Sequence, residues 1–263
     1  MAQLVYKKMR GDGVFHLSTS MYPLHRKRTL AEIRDRLKQN KSCIVISTSI
    51  VEAGVDLDFQ TVYRQLAGID SIIQAAGRCN REGKREREDC RTYIFELDEK
   101  EYMPGQRTQM GVAESLLSSG KRPEDLETIH EYFARLYYVK RENLDKKNIL
   151  NAYKPTVFPF KDISKEFRLI EQDTVTVLIL REERARTLAD ELRIMGVSRA
   201  RMREIGQYSI SVYQNDLQKL AAAGMVRPLS DEMQDLYLLT EEEQYDEGMG
   251  LKLDVSYGQA VMF

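Results

Sequence analysis

Ser71-Ile72-Ile73-Gln74-Ala75-Ala76-Gly77-Arg78-Cys79-Asn80-Arg81 carries a helical period. At about 100° per residue, Gln74, Arg78 and Arg81 fall on one narrow wedge and Ile72, Ala76 and Cys79 point the other way. Ser71 followed three residues later by Gln74 reads as a capping box, so the spacing predicts a helix that starts at Ser71. Upstream, the apolar run Cys43-Ile44-Val45-Ile46 empties into Ser47-Thr48-Ser49-Ile50-Val51-Glu52-Ala53-Gly54-Val55-Asp56. A strand that ends in a small polar loop with a Gly and an Asp is typical of α/β sheets, whose functional loops lie at the strand carboxyl ends.

Strands and helices alternate around these two stretches. Ala2 to Arg10 reads as a short helix closed by Gly11-Asp12-Gly13, and Val14 to Leu17 as a buried strand. A helix opens near Tyr22-Pro23 with Leu30, Ile33 and Leu37 at helical spacing, a strand covers 43–47, and further strands cover Thr61 to Gln65 and Thr92 to Glu96. That alternation predicts βαβ units and a parallel sheet. Pro123-Glu124-Asp125 starts a long helix with Leu126, Ile129, Phe133, Leu136 and Tyr137 on one face, expected to pack on that sheet domain. Its Tyr132, Tyr137 and Tyr138 read either as core or as a base-stacking platform. Residues 143–161 have a linker's composition. Beyond them, Thr174 to Leu180 is a strand, Glu183 to Met195 a helix ended by Gly196, Tyr208 to Tyr213 a strand, and Asp216 to Ala223 a helix closed by Gly224. Leu236 to Leu239 and Leu251 to Val255 are expected to form a terminal hairpin. Arg199, Arg201 and Arg203 suit a solvated face or a DNA contact.

The 48–56 and 74–81 stretches resemble motifs V and VI of superfamily 2 helicases. Val51 to Asp56, Leu66 to Ile72 and Gln74-Ala75-Ala76-Gly77-Arg78-Cys79-Asn80-Arg81 together resemble the CRISPR-associated helicase-nuclease of type I interference systems. His16 to Thr19 with Met21 and His25-Arg26 is similar to that family's preceding motif, and Phe158-Pro159-Phe160 and Glu166 to Glu171 extend the likeness more loosely. The resemblance implies an α/β chain: an incomplete RecA-like parallel sheet domain (residues 1–100, the second helicase domain, its first strand missing), a helical linker (101–155) and a small α+β C-terminal accessory domain (156–263). A slot left by a missing strand is expected to be filled by another segment or chain.

By the same resemblance Arg81 and Arg78 are arginine fingers toward ATP, and Gln74 touches the γ-phosphate or the attacking water. Gln74 also suits a cap of its own helix. Gly54, Asp56 and Gly77 belong to the nucleotide side, with Asp56 holding the loop or an arginine, and Thr48, Ser49 and Thr19 contact the nucleic-acid backbone. Thr19 equally suits a turn or cap hydroxyl. The planar, permanently charged guanidinium fits phosphate as Lys does not. ATP and Mg²⁺ are then held mainly by a first RecA-like domain, because the sequence contains no G-x-x-x-x-G-K-[ST] and no Asp-Glu-x-His, and the isolated chain is expected to be inactive. The implied partners are single-stranded DNA, N-terminal HD nuclease and first RecA-like domains, and the Cascade surveillance complex. The alternative is a separately encoded, non-catalytic module that binds DNA or Cascade.

Composition agrees with a globular chain: of 263 residues, 42% are hydrophobic and 31% charged. No apolar run approaches a membrane span and the N-terminus lacks a signal-peptide core, so a cytoplasmic location is expected. Cys43, Cys79 and Cys90 are widely spaced, and His16, His25 and His130 have no ligand spacing, which argues against a disulfide framework, a zinc site or a nuclease metal centre. Residues 1–91 carry 17 Lys and Arg against 11 Asp and Glu, a modest basic surplus on the part expected to face phosphates.

Overall fold

A computed structural model describes residues 1–52, 54–97, 105–152, 159–167, 174–230, 233 and 235–254. In chain order the elements are α1 (Ala2–Met9), β1 (Val14–Leu17), α2 (Pro23–Lys38), β2 (Ile44–Ser47), a 3-10 turn (Ser49–Val51), β3 (Thr61–Gln65), α3 (Ile69–Ala76), β4 (Arg91–Phe95), α4 (Arg107–Ser118), α5 (Leu126–Lys140), α6 (Ile149–Ala152) and α7 (Phe160–Glu166). There follow β5 (Thr174–Leu178), α8 (Glu183–Met195), α9 (Arg199–Ile205), β6 (Ser209–Tyr213), α10 (Gln214–Ala222), β7 (Val226–Pro228), β8 (Leu236–Leu239), β9 (Tyr245–Asp246) and β10 (Gly250–Leu251). Met1–Val51 with Gln172–Phe263 forms one compact unit and Glu52–Glu171 a second.

In the first unit β1 and β2 pair in parallel, Val14 opposite Ile44 and Leu17 opposite Ser47. Pro23 opens α2, where its missing N–H costs nothing, and fully buried Ile33 anchors the helix. The four-stranded sheet has the order β6-β5-β8-β7, with β5 parallel to β8 and the outer pairings antiparallel. Alternation along β5 sends Val175 and Val177 to one face and Leu178 to the other. The Leu178 face is covered by Ala185, Leu188, Ala189 and Leu192 of α8 and Ile205 of α9. The other is covered by Leu217 and Leu220 of α10 together with Tyr22, Tyr245 and Leu251. Each fully buried Leu or Ile contributes ~1.5–3 kcal/mol. Tyr22, from the start of α2, therefore belongs to the core of the C-terminal sheet. Its hydroxyl donates to Glu182 Oε1 at 3.0 Å, a carboxylate that Arg28 also engages.

The expected terminal hairpin is corrected here. Leu236, Leu238 and Leu239 are all buried, and this apolar strand takes a place inside the sheet as β8, whereas β10 pairs antiparallel with β9. Val255, the far end of that expected hairpin, lies outside the described residues.

In the second unit β3 and β4 form a parallel pair, so the parallel sheet that was expected is present as two separate pairs. α3, α4 and α5 share a core of Ile69, Ala113, Leu116, Tyr132 and Leu136. The buried stripe of α5 is Thr128, Tyr132 and Leu136, and the Tyr132 hydroxyl donates to Asp70 Oδ1 at 3.0 Å. Tyr132 is core, not a stacking platform, while Leu126 is 83% exposed and Tyr137 is exposed too. Of the expected apolar face, Leu136 is buried and Ile129 and Phe133 pack against the same core, while Tyr132 joins it with its hydroxyl satisfied by Asp70. Among the described residues no helix is long and apolar enough to cross a membrane.

His16 on β1 is 2% exposed, and neither ring nitrogen has a hydrogen-bond partner among the described residues. Burial pushes its pKa down from 6.5 to about 4. A base with a depressed folded-state pKa is neutral in the fold, so its stability contribution is complete above pH 6.5 and is lost as pH falls toward 4. Between pH 7 and pH 5 the chain should lose about 2 kcal/mol through this group. Denaturant titrations at both pH values check it: His16→Leu should remove the greater part of that loss, and an unchanged loss in the variant would assign it elsewhere. His25, whose pKa burial also lowers, is the next candidate.

Candidate functional site

The residues singled out by sequence fall in both units. In the first, β1 and β2 end side by side, and Thr48 N donates to Leu17 O at 3.1 Å, so Thr48 and the Ser18–Met21 turn leave the carboxyl ends of adjacent parallel strands. Thr19, Thr48 and Ser49 are all exposed there. Thr19 sits in a turn, ahead of α2, and does not cap it: the residue before the helix is Tyr22.

In the second unit, α3 does not begin at Ser71. Gly68 occupies the N-cap position, Ile69 is fully buried, and Ser71 lies within the first turns. The capping box is absent because Ser71 has other partners. Its hydroxyl donates to Glu52 Oε2 at 2.8 Å and accepts from Arg64 Nη2 at 2.8 Å. Arg64 in turn pairs with Glu52 Oε1 at 2.9 Å. Gln74, released from a capping role, is exposed.

The helix also stops early. Gly77 is the C-cap of α3 (φ −63°, ψ 0°), so Gln74, Arg78 and Arg81 do not share a helical wedge. Arg78 turns inward, is buried, and donates from Nη2 to the Glu52 carbonyl at 2.5 Å. Beyond it the chain runs beside residues 58–60: Phe59 N donates to Arg78 O at 2.9 Å and Asn80 N to Phe59 O at 2.8 Å. Asn80 adopts φ +48°, a left-handed conformation that Asn tolerates, and its side-chain amide clasps Arg85 at both N (3.0 Å) and O (2.8 Å). Arg85 pairs with Asp58 Oδ2 at 2.6 Å, while Asp58 Oδ1 accepts from Arg81 N at 2.6 Å. The Arg81 guanidinium projects from this pinned turn, 42% exposed, with Nε 2.6 Å from Asp56 Oδ1. Asp56 thus holds an arginine. Gly54 adopts φ +72°, and among the described residues nothing lies within 4 Å of where a side chain would stand.

Of the residues that the family resemblance implied, Arg81, Gln74, Gly54 and Asp56 are exposed in the loop and turn. The sequence reading did not single out Glu52, Asp58, Arg64, Asn80 and Arg85, which build the support beneath them. An acid between Leu57 and Phe59, and an Arg inside a strand, were the available signals, since charges in apolar surroundings are paired when buried. Ala53 of the first motif, Phe158, and residues 168–171 of the looser matches lie outside the described residues.

Comparison with known proteins bears on the same segment. Residues 1–84 match the family model described as CRISPR-associated nuclease/helicase Cas3, C-terminal. The CRISPR-associated nuclease/helicase Cas3 of Haloferax volcanii is 36% identical over 119 residues, 44% of this chain and 13% of that protein. The Methanothermobacter thermautotrophicus protein of the same description is 32% identical over 78 residues, 29% of this chain and 9% of that one. The chain therefore spans a small part of the length of the curated relatives it matches. Of solved structures, T. fusca Cas3-ATP aligns with 90% of this chain and 34% of its own, at a TM-score of 0.58 and 16% identity. T. fusca Cas3-AMPPNP gives a TM-score of 0.57 at 17% identity, with the same 90% and 34% coverage. At such identities the likeness is one of fold, a mixed α/β architecture with parallel strands resembling a helicase domain, plus helical and small β regions. The matched residues 1–84 contain the strand-end loops and the pinned turn, and the chain is homologous to the CRISPR-associated nuclease/helicase Cas3.

Proposed function

We propose that this chain is the C-terminal part of an ATP-dependent single-stranded DNA translocase of CRISPR antiviral defence, and that it supplies an arginine finger and contacts to the DNA backbone. The observation that carries the reading is the Arg81 turn. An exposed guanidinium stands on a segment whose backbone is fixed by Asp58, Phe59 and Asn80, and its ion-pair partner, Asp56, is itself largely exposed. A surface pair of this kind is worth about 0–1 kcal/mol, so the cation can be exchanged onto a phosphate at little cost. Fixed cations that meet charge developing on a transferred phosphoryl group are what such hydrolysis needs.

Within this reading Arg81 is the finger and exposed Gln74 its neighbour on the nucleotide side, with Gly54 and Gly77 giving close backbone approach. Arg78, bound to the Glu52 carbonyl, braces the loop from beneath. ATP supplies the phosphoryl group and Mg²⁺ neutralises it, both held mainly by a first RecA-like domain. Thr48, Ser49 and Thr19 offer exposed hydroxyls to the sugar-phosphate chain, contacts that position a strand without reading its sequence. Partners on this reading are single-stranded DNA, the N-terminal HD nuclease and first RecA-like domains, and Cascade.

The test uses the 263-residue chain with and without a second polypeptide carrying the phosphate loop. Alone it should bind oligo(dT) weakly, with affinity that falls as salt rises, and hydrolyse no ATP. DNA-stimulated hydrolysis should return with the second polypeptide. ATPase activity of the chain alone would overturn the reading.

A further inference from the structure

Leu251 N, on β10, donates to Ser20 O at 2.8 Å, across 231 positions of sequence. Gly250 beside it has φ +80°, and a Cβ there would stand 2.2 Å from Ser20 O, 2.5 Å from Ser20 C and 2.8 Å from Met21 N. All three are backbone atoms, so nothing flexible can yield. The hairpin is shaped locally by Asp246 Oδ1, which accepts from Gly248 N at 2.7 Å and Met249 N at 3.0 Å. It is held on its other side by α1: Gln3 Nε2 donates to Met249 O at 3.2 Å and Leu251 O at 3.3 Å, and the Tyr6 ring lies against Gly248. Tyr245 closes the arrangement. Its ring stacks on Tyr22 with centroids 5.3 Å apart, its hydroxyl accepts from Tyr22 N at 3.4 Å, and it hydrogen-bonds His25 Nδ1 at 2.7 Å. Met21, Tyr22, Tyr245 and Leu251 are all buried.

Among the described residues the other hydrogen bonds of the Ser18–Met21 turn are local: Ser20 N to Ser18 Oγ at 3.2 Å, Met21 N to Ser18 O at 3.3 Å, and Arg26 Nη1 of α2 to Met21 O at 2.6 Å. The long-range hold on the turn, at Ser20 O, comes from the hairpin. We infer that the β9–β10 hairpin sets the conformation of the Ser18–Met21 turn, and that Gly250 is a positioning residue for the strand-end surface that carries Thr19. The part of this concerning DNA rests on the strand-binding role given to Thr19 above. The C-terminal part of the chain thereby controls a nucleic-acid contact made near its N-terminus.

Gly224 provides a matched control: it has φ +71° but, among the described residues, nothing within 4 Å of a Cβ, so Gly224→Ala carries the same backbone strain without touching the turn. Two readouts apply to the full chain: amide exchange at Met21, Tyr22 and Leu251, and affinity for labelled oligo(dT). Gly250→Ala should speed exchange at these three amides and weaken oligo(dT) binding by about three- to tenfold, the loss of one backbone hydrogen bond. Thr19→Ala should weaken binding similarly, and the double variant should bind no worse than the weaker single one, because both changes remove one contact. Exchange in Gly250→Ala equal to that in Gly224→Ala would overturn the inference. Normal binding by Thr19→Ala, with exchange still faster in Gly250→Ala, would leave the hairpin's hold on the turn standing and remove the strand-binding role of Thr19. Should Gly250→Ala not fold, Tyr245→Phe, which keeps the stacked ring and loses the hydroxyl, carries the same test. It should speed exchange at Tyr22, and unchanged exchange there would overturn the inference.

Discussion

Arg81→Ala, introduced into the complete helicase reconstituted with its phosphate-loop part, should lower DNA-stimulated ATP turnover on the order of 10³-fold. Affinity for ATP and for single-stranded DNA should change far less, since the finger acts on charge that develops in the transition state. The thermal midpoint should hardly move, because the guanidinium is 42% exposed and loses only the Asp56 pair. The fixed part of Arg81 is its backbone, bonded through N–H to Asp58, and that bond survives the substitution. Arg81→Lys should recover only a small part of the rate, as a point charge lacks the planar fork. Arg85 is not a neutral control: it pairs with Asp58 and is clasped by Asn80, so its loss would loosen the turn and depress turnover indirectly. Lys84, which pairs with the exposed Glu82 beside it, serves instead. Turnover within a few-fold of the parent in Arg81→Ala, or the same loss in Lys84→Ala, would remove the finger from this turn.

The elements legible from sequence were those whose local and tertiary signals agree. β3 at Thr61–Gln65 and α8 at Glu183–Met195 have the expected bounds, the second because Gly196, at φ +70° and ψ −173°, adopts a non-helical conformation that glycine tolerates and so ends the helix. β1, β2, β5 and β6 fall within two residues of expectation for the same reason. Where the reading failed, a distant partner outbid a local pattern. Ser71 and Gln74 have capping-box spacing, but Ser71 is claimed by Glu52 and Arg64, and the helix starts two residues earlier so that Ile69 reaches the α4–α5 core. Period alone put Arg78 beside Arg81, yet Gly77 breaks the period between Gln74 and both arginines. Leu236 to Leu239 precede an acidic turn as a hairpin arm would, and no local rule says that β5 will accept them as a parallel neighbour.

The candidate site divides along the same line. Groups that would meet a ligand are legible because chemistry restricts residue type: guanidinium for phosphate, glycine for close backbone approach. Groups that hold those residues in place are not, because any acid or amide of suitable reach will serve. Asp58 between two apolar residues asked for a partner, but which partner it takes, and the role of Asn80, could be recognised only after the 56–60 and 77–85 segments were seen to lie against one another.

Glu52→Ala should be the most destabilising single change in this region, by about 3 kcal/mol or more. Glu52 and Arg64 are 12% and 20% exposed, and the two carboxylate oxygens of Glu52 are used separately, one by Arg64 and the other by the Ser71 hydroxyl. Truncation leaves the Arg64 cation in a site that already offers its Nε no hydrogen-bond partner among the described residues. An uncompensated, mostly buried charge is what makes removal of one member so costly, whereas a well-paired ion pair adds little over an apolar pair of like volume. The physics therefore fixes an order. Glu52→Gln keeps an acceptor for Ser71 or Arg64 and should lose less, and Glu52→Leu combined with Arg64→Met should be more stable than Glu52→Ala despite having lost both charges. Thermal midpoints and amide exchange across residues 71–81 measure it in the full chain. Arg78 distinguishes packing from charge: it binds the Glu52 carbonyl, which every variant retains, so the brace beneath the Arg81 turn should persist where the ion pair is gone. If Glu52→Ala melts with the parent, the pair is hydrated in solution, and the Arg78 side-chain bond to the Glu52 carbonyl, the Phe59 backbone bonds and the Asp58 contacts suffice to hold the loop to the arginine turn.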